Sequence, residues 1–327
     1  MRVLVTGGAG FIGSHVVDRL RAHGHEPRIF DLVPSPHHAP GEIDTVVGDV
    51  TDAAAVRCAA RGCEAIAHLA AVSDVERVVA DPAQADRVNV RGTEVVLSAA
   101  LAEDVSRVLY ASTIWVYGDA ANGRPIREDA PLPLPGHFYT ATKLAGELYC
   151  RSYGELYGLG HTILRFGIPH GPRSRPTPVV AAFVARALAG KPLTIAGDGA
   201  QSRRFVYVED LAEGVVTALA PAAEGQIYNL VGDESVSVRA IADIVRGLVR
   251  DVPIVHVAGR TGDLRGAEIS SERAGRDLGW RATTPFVEGV RRYVAWVTER
   301  AESPLAATAS RIAGTAATVL RQEPGEL

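Results

Sequence analysis

The chain has 327 residues, 47% hydrophobic and 22% charged, with a formal net charge of −4 at pH 7, which suits one large α/β domain or a domain with a smaller lobe. The mild acidity argues against a nucleic-acid partner held by bulk electrostatics. Cys58, Cys63 and Cys150 show no CxxC or metal-ligand spacing, no signal-peptide pattern opens the chain and no apolar run is long enough to cross a bilayer, so a cytoplasmic protein with reduced thiols, no metal and no membrane partner is expected.

Residues 2–6 (RVLVT) form the first β-branched run, and FIGSHVVDRLRAHG follows with Ile12, Val16 and Leu20 at helical spacing. Between them TGGAGFIG sets Gly7, Gly10 and Gly13 at G-x-x-G-x-x-G spacing. A strand before and a helix after give the motif its meaning. The missing side chains let the backbone approach a pyrophosphate, whose charge meets the helix N-terminus. PRIFD ends a second strand at Asp31, where a carboxylate accepts from an adenosine ribose diol. No Arg or Lys follows closely, which favours NAD over NADP. DTVVGDV leads into an Ala-rich helix predicted from Thr51, with Asp49 a contact for the adenine amino group, an acid of the helix N-cap region, or both.

EAIAHLAA reads as another strand, 89–103 as a long helix and RVLYAST as the next strand. A helix opens near Tyr139, and HTILRFG is the strand after it. Strands alternating with helices predict βαβ units and a doubly wound α/β parallel sheet, with the site along the strand C-termini. At the head of the last helix Tyr139 and Lys143 stand four residues apart, on one face. Either the ring packs and the amine is solvated, or the ammonium holds the phenol near ionisation for proton transfer. A tyrosine titrates near pH ~10, and bringing it to neutrality takes about 4 kcal/mol. One positive charge at ~4 Å supplies about that at an effective dielectric of ~20.

TGGAGFIG, HLAA, NVRGT, YASTIWVYG and YTATK, in this order, resemble the extended short-chain dehydrogenase/reductase family, and within it the NAD-dependent nucleotide-sugar epimerases and dehydratases. GDGAQSRRFVYVEDLAEG and DLGW carry the likeness to about Val297. The resemblance implies NAD as cofactor and a Rossmann domain with a smaller C-terminal lobe. It makes Tyr139 the catalytic base and acid, Lys143 its pKa-lowering partner and a nicotinamide-ribose ligand, and Thr113, five residues before Gly118, the third member. Ser112, adjacent to it, is a further candidate helper. The implied cofactor surface adds Gly7, Gly10, Phe11, Ile12 and Gly13, then Asp31, Asp49 and Val50, and then Leu69, Ala70, Ala71 and Asn89. On the substrate side it implies Ser73, Thr113, Ile114, Trp115, Ile168, Arg175, Arg203 and Arg260.

Members of the family diverge beside the hydroxyl residue. Sugar 4,6-dehydratases resemble T-D-E there and uronate decarboxylases keep a glutamate, whereas Thr113 is followed here by Ile114 and Trp115, which exchange no proton. The expected activity is therefore epimerisation at C4 of a nucleotide sugar, a UDP-hexose or UDP-hexuronate. A dehydratase (for example a 5,6-dehydratase) or a 4-ketoreductase is the alternative, and a non-catalytic NAD-binding regulatory protein is the alternative from another class.

IPHGPRSRP departs from the family's N-V-Y-G-P: Ile168 takes the place of Asn and His170 that of Tyr. GPRSRP resembles a uronate-epimerase stretch in which Arg175 would face a sugar carboxylate, with a solvated loop arginine as the plain reading. Arg203 and Arg260 match diphosphate contacts, and Arg204 replaces an aspartate. His15 is expected on a partly exposed helix face and His68 packed near the cofactor. The expected division is 1–166 with about 203–220 for the Rossmann domain, 167–202 and 221–300 for the substrate lobe, and 301–327 for a C-terminal appendage. The helices around 88–101 and 139–157 form the dimer interface in the family, so a homodimer is expected.

Overall fold

The computed structural model describes residues 1–118, 125–258 and 268–302, so Arg260 and nearly all of the expected appendage lie outside the described residues. The N-terminal strands are β1 (Arg2–Thr6), β2 (Glu26–Asp31), β3 (Asp44–Val47), β4 (Ala65–His68), β5 (Arg107–Thr113) and β6 (Gly160–Phe166). Helix α1 (Phe11–Ala22) joins β1 to β2, and α2 (Ala53–Ala60) joins β3 to β4. Between β4 and β5 lie α3 (Val75–Ala80), α4 (Pro82–Asp86) and α5 (Gly92–Ala102), and α6 (Phe138–Tyr157) links β5 to β6. Each crossover returns the chain to the same sheet edge, so every pairing is parallel. Helices cover both faces, which is why Val3, Leu4 and Val5, and all four residues of β4, are buried without alternation.

The second half supplies β7 (Ile168–His170), β8 (Leu193–Ala196), β9 (Ser202–Tyr207), β10 (Ile227–Leu230), β11 (Ser235–Ser237) and β12 (Ile254–Val257). Its helices are α7 (Val179–Leu188), α8 (Val208–Thr217), α9 (Val238–Leu248), α10 (Glu272–Leu278) and α11 (Phe286–Glu302). The main sheet has seven strands in the order β10-β6-β5-β4-β1-β2-β3. Its strand order reverses between β1 and β4, the point where such sheets bind ligands. The seventh strand corrects the expected division. Residues 227–230, assigned to the lobe, add to the Rossmann sheet because β10 pairs in parallel with β6 and buries Tyr228, Asn229 and Leu230. The lobe holds a three-stranded sheet β11-β9-β7 and the pair β12-β8, so the first residues of the 203–220 segment expected in the Rossmann domain belong through β9 to the lobe. Its core gathers Phe183, Val184, Ile195, Phe205, Ile241, Phe286 and Val290.

Two helix boundaries also differ from expectation. The helix predicted from Thr51 starts at Ala53, with Asp52 accepting from the N–H groups of Ala54 and Ala55 as its N-cap. The long helix predicted over 89–103 opens in a π turn at Arg87–Arg91, and α5 follows from Gly92. That turn is centred on Asn89, and π turns inside helices frequently mark functional sites.

Candidate active site

The glycine loop leaves β1 at Gly7, whose φ of +73° favours glycine. The Gly7 N–H donates to the Phe30 carbonyl of β2 at 2.9 Å. A Cβ on Gly7 would stand 2.9 Å from the Ala70 nitrogen, and one on Gly13 would stand 2.1 Å from the Gly7 oxygen. The loop therefore folds tightly over the start of α1 and against the Leu69–Ala70 backbone. Helix α1 has Gly10 as N-cap, no capping side chain and no acid in its first turn. Its leading N–H groups, at Phe11, Ile12 and Gly13, suit a pyrophosphate. Asp31 at the end of β2 accepts from Ala9 N–H (3.0 Å) and Leu32 N–H (2.7 Å), placing its carboxylate beside the loop. These features fit a dinucleotide.

Asp49 closes the turn before α2, its Oδ1 accepting from the N–H and hydroxyl of Thr51, each at 2.9 Å. Val50 is buried beside Gly92. Leu69, Ala70 and Ala71 are half-buried just beyond β4. Buried Asn89 holds the next residue: its Oδ1 accepts from Val72 N–H (2.8 Å), and its Nδ2 donates to Val72 O (3.0 Å) and Thr142 Oγ1 (3.1 Å). It thus ties the loop after β4 to α6.

Thr113 ends β5, where its Oγ1 accepts from Trp115 N–H at 3.2 Å and caps the short 3₁₀ turn Ile114–Tyr117. That leaves the hydroxyl proton to donate elsewhere. Ile114 is buried and Trp115 half-buried. The Trp115 ring meets Tyr139 edge-on at 6.2 Å and His137 at 5.3 Å. His137 precedes α6 and was not singled out in the sequence, where nothing but its nearness to Tyr139 signals it. Lys143 is buried; its Nζ donates to the Ala111 carbonyl at 2.8 Å and lies over the Tyr110 ring.

Burial pushes the Tyr139 phenol up to about 12, and the cation that opposes this is Arg175. Burial lowers Lys143 to about 8. The Lys143 ammonium meanwhile donates to the Ala111 carbonyl of β5.

Arg175 is half-exposed; its Nη2 donates to Ser73 Oγ at 3.2 Å, and its Nη1 lies 4.0 Å from Asp74. Ser73, Arg175, Trp115 and Tyr139 thus come from four separate segments to one region. Ile168 is half-buried on β7, paired with Phe205. Arg203 is half-buried on β9, its Nη1 donating to the Ser202 carbonyl. Arg204 donates to the Gly232 and Asp233 carbonyls, so it braces the lobe where the family has an aspartate.

Two histidines sit deep. His15, expected half-exposed, is buried because its Nε2–H donates to the Pro172 carbonyl at 3.0 Å, under the loop that follows β7. His68 lies between the Thr6 and Thr93 hydroxyls at 2.7 and 3.1 Å.

A family model described as the NAD dependent epimerase/dehydratase family matches residues 3–231. UDP-glucose 4-epimerase of Mycolicibacterium smegmatis is 37% identical over 308 residues, covering 90% of this chain and 97% of its own. dTDP-glucose 4,6-dehydratase 1 of Escherichia coli is 32% identical over 338 residues, covering 90% and 92%. Among solved structures, the Thermus thermophilus UDP-glucose 4-epimerase complex with NAD superposes with a TM-score of 0.84 at 34% identity, over 90% of this chain and 98% of that one.

Proposed function

The chain belongs to the NAD-dependent epimerase/dehydratase family, and from that premise we propose that it is a nucleotide-sugar 4-epimerase acting on a UDP-hexose or UDP-hexuronate. NAD, the cofactor of the family, supplies the hydride acceptor and donor at C4. Tyr139 would take the proton of the sugar 4-hydroxyl as C4 is oxidised and, after the 4-keto sugar has turned its other face to the cofactor, would return a proton to that oxygen as C4 is reduced. Thr113 donates to the same oxygen. Lys143, fixed on the Ala111 carbonyl, orients the nicotinamide ribose. Burial leaves the Tyr139 pKa at about 12, and the positive charge of an oxidised nicotinamide would favour its phenolate form. Arg175 would face the C6 substituent, where its guanidinium would pair with a carboxylate.

The observation that carries this reading is the pair after Thr113. Ile114 and Trp115 offer no acid or base for elimination, while both epimerases and dehydratases are among the relatives. A second reading, a dehydratase, draws on His137, a proton-exchanging ring in edge contact with Trp115. The test is incubation with UDP-glucose, UDP-N-acetylglucosamine and UDP-glucuronate. Formation of a 4-epimer of unchanged mass supports epimerisation, and a product lighter by one water replaces it with the dehydratase. NAD binding without turnover of any of the three leaves the regulatory alternative.

We also propose a homodimer through α5 and α6, on whose α6 surface Leu148, Leu156 and Tyr157 are 54, 70 and 61% exposed. Light scattering after gel filtration tests it; a monomeric mass removes it. The three free cysteines fit a cytoplasmic setting. Among the described residues no helix is long and apolar enough to cross a membrane.

A further inference from the structure

Glu147 and Arg165 form a fully buried ion pair, with 1% of either side chain exposed, and no step of the proposed reaction uses them. Glu147 lies one helical turn beyond Lys143 and two beyond Tyr139, on the same face of α6. Its Oε1 accepts from Arg165 Nε at 2.9 Å and from Ser112 Oγ at 2.5 Å, and its Oε2 accepts from Arg165 Nη2 at 2.7 Å. Arg165, on β6, also reaches forward: its Nη1 donates to Tyr117 OH (2.8 Å) and to the Glu128 carbonyl (3.1 Å), with the guanidinium over the Tyr117 ring. Tyr117 in turn donates to Asn229 Oδ1 of β10 at 2.7 Å.

The pair therefore grips each element that carries a proposed catalytic group. Ser112 precedes Thr113 on β5, Tyr117 closes the turn that holds Ile114 and Trp115, and α6 bears Tyr139 and Lys143. A buried ion pair is weak evidence for stability, since a well-packed apolar pair of similar volume often serves as well or better. What this one has and an apolar pair lacks is directional bonding to Ser112 and Tyr117.

We propose that Glu147 and Arg165, acting through Ser112, are positioning residues that set the Thr113 hydroxyl against the Tyr139 phenol. This rests on the 4-epimerase reading for its kinetic consequence but not for its geometry. Glu147→Ala would strand the guanidinium in the interior and unfold the protein, so the deciding pair is Ser112→Ala and Ser112→Thr. Ser112→Ala leaves the ion pair in place. With NAD bound it should lower kcat roughly 10-fold while KM changes less than about twofold, a loss confined to the transition state. Ser112→Thr keeps a hydroxyl and should recover most of that loss. A kcat for Ser112→Ala within about twofold of the native enzyme overturns the proposal.

A substrate-free reading separates this from failure of the 4-epimerase assignment. The Tyr139 titration, taken with NAD bound as the absorbance difference between native protein and Tyr139→Phe, should move upward by at least ~0.5 pH unit in Ser112→Ala, because a mis-seated phenolate loses its hydrogen-bond donor. If the native protein turns over no nucleotide sugar, that assignment falls and the titration alone decides; an unmoved midpoint then overturns the positioning role.

Discussion

Arg175 Nη2 donates to Ser73 Oγ at 3.2 Å, joining the loop after β7 to the loop after β4. Its charge also acts on the Tyr139 phenol, pulling down a pKa that burial has raised. One guanidinium is thus tied to the cofactor-side loop while it influences the proposed base.

Replacing Arg175 should therefore do two separable things. Arg175→Leu should raise the Tyr139 titration midpoint, since a favourable charge is gone. If the substrate carries a C6 carboxylate, kcat/KM for UDP-glucuronate should fall by about 10- to 100-fold more than for UDP-glucose, the cost of about 1.4–2.8 kcal/mol from a lost charge-assisted pair. Equal losses on the two sugars would remove Arg175 as a carboxylate reader.

The phenol itself gives the second prediction. Since the side chains leave Tyr139 about 12, oxidised NAD should lower its midpoint, while NADH, with an uncharged nicotinamide ring, should lower it less. Difference spectra of the two forms measure this directly. Tyr139→Phe should cost about 10²- to 10⁴-fold in kcat, the usual worth of a positioned acid–base group, with NAD still retained on gel filtration. Turnover at the native rate would take Tyr139 out of the mechanism.

Much of this arrangement was legible in the sequence because it is local. TGGAGFIG, Asp31 and the Tyr139/Lys143 pair each depend on a few neighbouring residues, and each stands where its motif places it. What escaped notice depends on distant pairing. The Glu147–Arg165 pair joins residues of α6 and β6 through a contact that no periodicity announces. His15 is buried by Pro172, 157 residues away. β10 belongs to the main sheet through its pairing with β6, after a long excursion into the lobe.

The glycine loop should tolerate no side chain at its tightest point. A Cβ on Gly13 would stand 2.1 Å from the Gly7 oxygen, backbone against backbone. Gly13→Ala must push the loop away from the start of α1, and overpacking of this kind costs about 1–3 kcal/mol. Loss of NAD affinity by tenfold or more, in a protein whose thermal midpoint drops by several degrees, is the expected result. Calorimetric titration with NAD showing native affinity would mean that the pyrophosphate is held elsewhere.

His68 makes the fold acid-sensitive. Thr93 Oγ1 donates to the Asn89 carbonyl at 2.6 Å, so it accepts from His68 Nε2–H; the Nδ1 lone pair then accepts from the Thr6 hydroxyl. The neutral ring is fully satisfied, and a second ring proton would point at Thr6 Oγ1, whose own hydroxyl proton points at the ring. Burial first, and Lys143 second, hold its pKa at about 3. The unfolded chain binds this proton near pH 6.5, so stability from the neutral ring is complete above that value. It declines as pH falls toward 3, at ~1.4 kcal/mol per pH unit. His170, depressed by burial to about 4, adds a like slope over most of that window. Urea midpoints at pH 7, 6 and 5 should therefore fall, and His68→Gln should reduce the slope by about one proton whatever it costs at pH 7. An unchanged slope would mean that the His68 ring takes up its proton as readily in the native protein as in the unfolded chain, with both ring nitrogens then donating and the Thr6 hydroxyl accepting from Nδ1–H.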